Sequence, residues 1–332
     1  MSDENRSTSV PLEDVQARRP MAHVSLSRVG VTGVEKVVRI RSNGDEQLFY
    51  AELECFVDLG PRQKGAHMSR FEETVNEAID EVVLGEAFKA ETLAAHIAER
   101  VRERQDAARA EASIKARYPE HKPAPVSGAR TQEIYTMLGT AVASKTGTRR
   151  LIGVQAQGMT ACPCAQELVM ARATERLGED GFTDAEIERV FELVPVATHN
   201  QRGLGTLYVG CPEACAEAIE ATTLLAIVEE SMSSEIYELM KRPDELAVVE
   251  KAHRRPRFVE DCVREMIGGV VERFPDLADA AFVSARQENL ETIHQHNVVA
   301  EHYGLIGELD RELRADEPAA SHVTMRDWLH RP

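Results

Sequence analysis

Apolar and polar positions alternate over residues 24–40 and 48–59, with many β-branched residues, and this pattern predicts two long strands. Arg41-Ser42-Asn43-Gly44-Asp45 separates them as a turn, so the pair reads as a hairpin. The segment 61–65 then breaks the second strand. Beyond it the period lengthens. Phe71, Val75, Ile79 and Val82 fall at helical spacing, with Ser69 as the expected N-cap and Glu72 as its capping-box partner. The Ala-, Glu- and Arg-rich stretch 91–117 predicts a second helix, and 119–128 a Pro-containing loop. Strands return at 131–143 and 149–157 around Ser144-Lys145-Thr146-Gly147. The first half therefore reads strand-strand-helix-helix-strand-strand.

The second half follows a related order without a clear sequence repeat. Residues 165–189 are helical with a turn at Gly178-Glu179-Asp180-Gly181, and 204–209 form a short strand. An apolar-faced helix covers 213–230 and is followed by 233–240. Pro243 and Pro256 punctuate the next stretch. An amphipathic helix covers 258–274, and strands cover 281–288 and 291–300. The fold class expected is α+β. The division expected is a disordered leader over 1–20, a first module over 21–158, a second over 159–310 carrying most of the site, and a tail over 311–332.

Composition narrows the function classes. With 332 residues the chain exceeds one small core. No apolar run approaches the roughly 18 residues of a membrane span, and the polar N-terminus lacks the apolar core of a signal peptide. A cytoplasmic location follows as an expectation, with the six cysteines reduced, catalytic or ligating rather than disulfide-bonded. The formal charge of −17 argues against a nucleic-acid surface, and an acidic, well-solvated surface is a device of halophilic proteins. A polyanionic substrate would need a local basic pocket against that background.

The chemistry concentrates in Gly158-Met159-Thr160-Ala161-Cys162-Pro163-Cys164-Ala165-Gln166-Glu167, which answers to Thr198-His199-Asn200-Gln201-Arg202-Gly203. Pro163 stiffens the backbone between two thiols, and the reading is a stiff, extended turn that aims both sulfurs at one small site. Thiolate and imidazole are metal ligands, and a mixed S, N, O set suits Zn²⁺ or Fe²⁺. Cys162, His199, Glu245 and His294 are the candidate set. Each residue also has a plainer reading. His199 caps a turn with Asn200, Glu245 is an exposed acid at a helix start, and His294 and His296 share one face of a strand. Cys211 and Cys215 read first as two packed thiols, with paired zinc ligation as the alternative. Gly139-Thr140-Ala141-Val142-Ala143-Ser144-Lys145-Thr146 falls short of a P-loop, because Ser144 stands where the second glycine is required.

Taken together and in order, Gly65-Ala66-His67-Met68-Ser69-Arg70-Phe71, Cys162-Pro163-Cys164, His199-Asn200-Gln201-Arg202-Gly203, Lys241-Arg242-Pro243-Asp244-Glu245, Phe258-Val259-Glu260-Asp261 and Glu291-Thr292-Ile293-His294 resemble the prokaryotic type IB GTP cyclohydrolases. Within that family the chain looks like the archaeal enzyme of the methanopterin pathway. It departs from the bacterial pattern in the extra helical segment 168–194 and in Ala165, where the bacterial motif has Ser.

The resemblance implies a tunnelling fold whose barrel is completed by oligomerisation, with sites at subunit boundaries in a homodimer or homotetramer. It implies opening of the guanine ring of GTP at C8 with release of formate, which yields a 7,8-dihydroneopterin triphosphate or 2′,3′-cyclic phosphate for pterin or deazaguanine biosynthesis. One divalent metal per site is implied, Fe²⁺ first, then Zn²⁺ or Mn²⁺. Glu260 would anchor the guanine edge, and His67 and Arg70 would contact phosphate or ribose. Glu291 would shuttle protons, and Cys162 or Cys164 would complete the catalytic group. Two other readings stand beside this one: a tunnelling-fold nitrile reductase with a Cys nucleophile, and a non-catalytic metal-binding protein.

Overall fold

A computed structural model describes residues 15–16, 18–42, 45–81, 89–212, 219–315 and 320–331. The predicted hairpin forms as β1 (Leu26–Ser42) and β2 (Asp45–Leu59). The helix after it, α1 (Met68–Glu81), begins one residue before Ser69, so Ser69 lies in its first turn rather than capping it. The second helix, α2 (Ala90–Arg104), stops far short of residue 117. Asp106 takes a positive φ of 50°, and the chain turns into β3 (Arg109–Pro123). Helix propensity loses here to pairing. Ala110, Ala112, Ile114 and Ala116 alternate with polar residues and are all buried, a period of two. β3 lies between β2 and the next strand, β4 (Arg130–Ser144), and bonds to both.

β5 (Thr148–Ala161) pairs with β4 and joins the two halves in one continuous sheet. Helices α3 (Pro163–Glu179) and α4 (Asp184–Leu193) are inserted between β5 and β6 (Asn200–Cys211). α5 (Ala221–Ser231) and the two-residue strand β7 (Ser234–Glu235) follow. β7, rather than a continued helix, occupies part of 233–240. α6 (Arg242–Arg254), which the two prolines obscured, starts with Pro243 in its first turn, where a missing N–H costs nothing. α7 (Val259–Arg273), β8 (Phe282–Leu290), β9 (Val298–Leu305), α8 (Ile306–Ala315) and α9 (Met325–Leu329) complete the chain. Residues 291–297 form a loop, not the start of a strand.

Among the described residues the sheet has nine strands in the order β1-β2-β3-β4-β5-β6-β8-β9, with β7 beside β5, and every pairing is antiparallel. Each half is a strand pair, helices, and a second strand pair, which is the α+β tunnelling arrangement expected. Phe71, Leu93, Ile97, Leu224, Val228, Met266 and Val270 from α1, α2, α5 and α7 share one core with Leu53, Val154, Leu207 and Val283 of the sheet. The C-terminal stretch packs on the sheet. Trp328 of α9 is 0% exposed, packs on Phe282 and donates its indole N–H to the Ala280 carbonyl at 2.9 Å. Cys211 is disulfide-bonded, a correction to the expectation of reduced thiols; Cys215 lies outside the described residues. No helix among the described residues is long and apolar enough to cross a membrane.

Candidate functional site

Register divides the sheet into two rims. Ala161 faces Asn200, Arg202 faces Leu290 and Pro123 faces Arg130 at one of them. Leu59, Ser144, Thr148 and Cys211 mark the other. Cys162, His199, Glu260, Glu291 and His294 all gather at the first rim.

Cys162 ends β5 and caps α3. Its backbone is extended, with φ −77° and ψ 118°, and its Sγ accepts the Ala165 N–H at 3.5 Å. Pro163 is the first helical residue. Cys-Pro-Cys is therefore a strand-to-helix junction rather than an extended turn. Cys162 is half-buried and Cys164 exposed. The junction is clasped to the start of β6: the Cys162 N–H donates to the His199 carbonyl at 3.1 Å, and the Thr198 hydroxyl donates to the Cys162 carbonyl at 2.9 Å. Ser233 accepts the Ala161 N–H at 3.0 Å, and Arg257 donates its N–H to the Ala161 carbonyl at 2.9 Å. The second contact brings the N-terminus of α7, with exposed Glu260 in its first turn, to the same rim.

His199 is oriented by its neighbours. Its Nδ1 lies 3.1 Å from Gln201 Oε1, and the buried Gln201 Nε2 donates to the Thr160 hydroxyl at 3.1 Å. With Oε1 on that side the amide accepts, an arrangement that suits an imidazole carrying its proton on Nδ1. That tautomer is the one in which Nε2 offers its lone pair to a metal. Glu291 Oε2 stands 3.9 Å from the same Nδ1, with only 7% of its side chain exposed. Thr292 donates to the Asn200 carbonyl at 3.0 Å and ties the 291–297 loop over the start of β6. Sequence reasoning passed over Gln201 and Thr160. Strand alternation carried the signal, since Gln201 stands two residues from His199 on the same face.

The other candidates are not drawn in. His294 is exposed in the loop, its ring stacked on His296 at 5.1 Å. Glu245 is exposed in the first turn of α6. Its neighbour Asp244 is fully buried and accepts from the Val126 N–H, the Ser127 N–H and hydroxyl, and the Lys241 N–H. Those bonds outweigh the upward push of burial and hold the Asp244 carboxyl well below the usual carboxylate range. Glu245 sits eight residues along α6, about 12 Å at 1.5 Å per residue, from His253, whose Nε2 lies 3.4 Å from the Thr198 carbonyl beside the clasp. Among the described residues, no group containing Cys162 and His199 brings three candidate ligand atoms within 4.8 Å of one another. The donor chemistry at the Cys162–His199 clasp, a sulfur and a bare imidazole nitrogen, nonetheless fits a divalent transition metal.

His67 and Arg70 belong to the far rim. The His67 N–H donates to Gln105 Oε1 at 3.2 Å, Gln105 Nε2 donates to the His67 carbonyl at 2.8 Å, and exposed Arg70 donates to the Arg104 carbonyl at 3.2 Å. Along β5 the two rims are on the order of 40 Å apart at 3.3 Å per residue. The same far rim holds a basic cavity of about 210 Å³ lined by Arg109, Arg149, His330 and Arg331.

Comparison with known proteins places the chain in a family. The profile of the type I GTP cyclohydrolase folE2 family matches residues 12–300. The chain is 42% identical over 313 residues to GTP cyclohydrolase MptA of Haloarcula marismortui, covering 93% of this chain and 100% of that protein. It is 40% identical over 308 residues to the Methanococcus aeolicus MptA, covering 91% and 99%. The Methanothermobacter thermautotrophicus MptA is 41% identical over 315 residues, covering 93% and 98%. Among solved structures, the uricase from Arthrobacter globiformis aligns with a TM-score of 0.49 at 9% identity, covering 89% of this chain and 96% of that one. With the family's motifs spread along nearly the whole chain, and relatives matched end to end, the protein belongs to the type I GTP cyclohydrolase family.

Proposed function

We propose that this enzyme opens the guanine ring of GTP at C8, releases formate and delivers a 7,8-dihydroneopterin phosphate to pterin synthesis. We further propose one divalent metal, Fe²⁺ before Zn²⁺ or Mn²⁺, held by Cys162, His199, Glu245 and His294. The observation that carries the reading is the clasp between Cys162 and His199, with Gln201 Oε1 3.1 Å from His199 Nδ1. When bound, such a metal makes a water molecule acidic enough to attack at neutral pH.

The chain's own residues account for the rest. Glu260, exposed at the first rim, offers two acceptor oxygens to the adjacent N1–H and 2-amino donors of guanine. Glu291, close to His199 and shielded from solvent, is the proton carrier for ring opening and for release of the formyl carbon. Cys164, exposed one helical position beyond Pro163, remains available to the substrate. Glu245 and His294 are exposed at the Cys162 end of the sheet, whereas His67, Arg70 and the basic cavity occupy the far rim. Separation on this scale favours a site completed between chains, where one protomer's far rim meets its partner's Cys162 rim. The product is the triphosphate or the 2′,3′-cyclic phosphate, which differ in mass.

The deciding experiment is an anaerobic assay with GTP and Fe²⁺ that follows formate and resolves the pterin product by mass. Formate release that depends on Fe²⁺ and on His199 supports the proposal. Metal-independent turnover, or NADPH-dependent reduction of a nitrile, overturns it.

A further inference from the structure

A second group of metal-ligand side chains lies far along the chain from the Cys162 clasp, where β9, α8 and the C-terminal segment meet. One ring nitrogen each from His302 and His322 and a carboxylate oxygen of Glu312 all lie within 4.8 Å of one another. His302 Nε2 is 3.4 Å from Glu312 Oε2, and His322 Nε2 is 3.4 Å from Glu312 Oε1. Ligand atoms about 2.0–2.1 Å from a tetrahedral Zn²⁺ stand about 3.3 Å apart, so this spacing already suits an ion. The two imidazoles meet edge to face, with centroids 4.6 Å apart.

The surroundings also match a metal site. If His322 gives Nε2 to an ion, its Nδ1 must point at an acceptor. Nδ1 is buried, has no hydrogen-bond partner, and faces Glu308 Oε2 at 3.8 Å. Glu308 is itself held by the Leu305 N–H at 3.3 Å. Carboxylate, imidazole and ligand position thus stand in sequence. Glu308 and Glu312 are four residues apart on one face of α8. Gly304 makes the approach possible, because a Cβ there would sit 3.0 Å from His322 Nδ1 and 3.5 Å from Glu308 Oε2. All four side chains are largely shielded, with exposures of 36% for His302 and 21–22% for the others.

We infer that His302, His322 and Glu312 form a second divalent-metal site, suited to Zn²⁺, with Glu308 orienting His322. The donor set holds nitrogen and oxygen and no sulfur, and it differs in this from the clasp at Cys162. Its place suggests its use. His322 precedes α9, whose Trp328 is buried against Phe282, so an ion here fastens the C-terminal segment to β9 at the sheet's edge. The inference does not depend on the proposed catalytic metal.

The test uses the full chain with the catalytic clasp disabled. His199→Ala protein is saturated with Zn²⁺, freed of excess by gel filtration, and its zinc per chain measured. One equivalent is expected, falling to none when Glu312→Gln or His302→Ala is added. Co²⁺ in the same protein should give visible bands of a four-coordinate N/O site and no thiolate-to-cobalt charge-transfer band. A thiolate band would assign the ion to Cys162 and count against the second site. Zinc-free His199→Ala protein with the wild-type circular dichroism spectrum would overturn the inference. So would an unchanged zinc content after Glu312→Gln, a substitution that keeps the side chain's shape.

Discussion

The Cys162 N–H donates to the His199 carbonyl at 3.1 Å, joining the end of one central strand to the start of the next. The pairing Ala161–Asn200 is the last rung of that ladder, so Cys162 and His199 are set beside one another along the backbone by sheet register. The 36 residues between them are absorbed by α3 and α4, and the intervening helices can vary without moving the clasp.

Gln201 should matter through His199. Gln201→Leu removes the amide oxygen beside Nδ1, and outer partners of ligating histidines are worth roughly 10–100-fold in metal affinity. Equilibrium dialysis with Fe²⁺ should show a loss of that order, with a smaller loss for Gln201→Glu, which retains an acceptor. An unchanged affinity in Gln201→Leu would dissociate His199 from the metal.

Glu260 tests the substrate instead. A carboxylate matched to two guanine donors leaves adenine's N1 acceptor unsatisfied, a mismatch that can discriminate by up to about 10⁴–10⁵. Glu260→Gln should keep its metal and lose most GTP turnover, and the wild type should ignore ATP. Formate release and metal content on the same samples decide it. Normal turnover by the variant would remove Glu260 from the purine site.

The two rims predict subunit complementation. Arg70→Ala and His199→Ala should each be inactive alone. Mixed protomers should regain activity, because some interfaces then combine an intact far rim with an intact clasp. Sedimentation should give a species larger than the 36.8 kDa chain. No recovery in demonstrably mixed oligomers, or full activity in a sedimenting monomer, would place the whole site in one chain.

Thiol reactivity should follow burial. Burial pushes the Cys55 and Cys262 thiols up to about 12, so at pH 8 both stay protonated as well as covered. Alkylation of the native protein at that pH should modify exposed Cys164 first, and Cys55 and Cys262 only after denaturation, as read by peptide mass spectrometry. Early labelling of Cys262 would contradict its place in the core.

Trp328 should anchor the C-terminal segment. Trp328→Ala empties a fully buried site against Phe282 and leaves the Ala280 carbonyl without its donor. Substitutions of this kind cost about 3–5 kcal/mol, visible in urea unfolding. A change below about 1 kcal/mol would mean that the segment contributes little.

Much of this protein could be read from the chain alone. The β1–β2 hairpin and α7 follow from local period, which neighbouring residues encode directly, and residue type marks Cys162 and His199 as candidates, whereas Glu260 stands out only through the family's motif. The family was legible for the same reason, because its motifs are short contiguous runs. Tertiary structure decided what local signals contradict. The 109–117 run has the composition of a helix, yet β2 and β4 leave a gap only a strand can fill, and the alternating alanines bury one face there. Missing β3 left the expected order correct in form but assigned it to the wrong strands. Pairing likewise set Gln201 opposite Thr160 and kept His67 at the opposite rim, relations that depend on register across the sheet. The His302–Glu312–His322 cluster was invisible for a similar reason. Its members come from a strand, a helix and the C-terminal segment, and only docking of Trp328 brings them together.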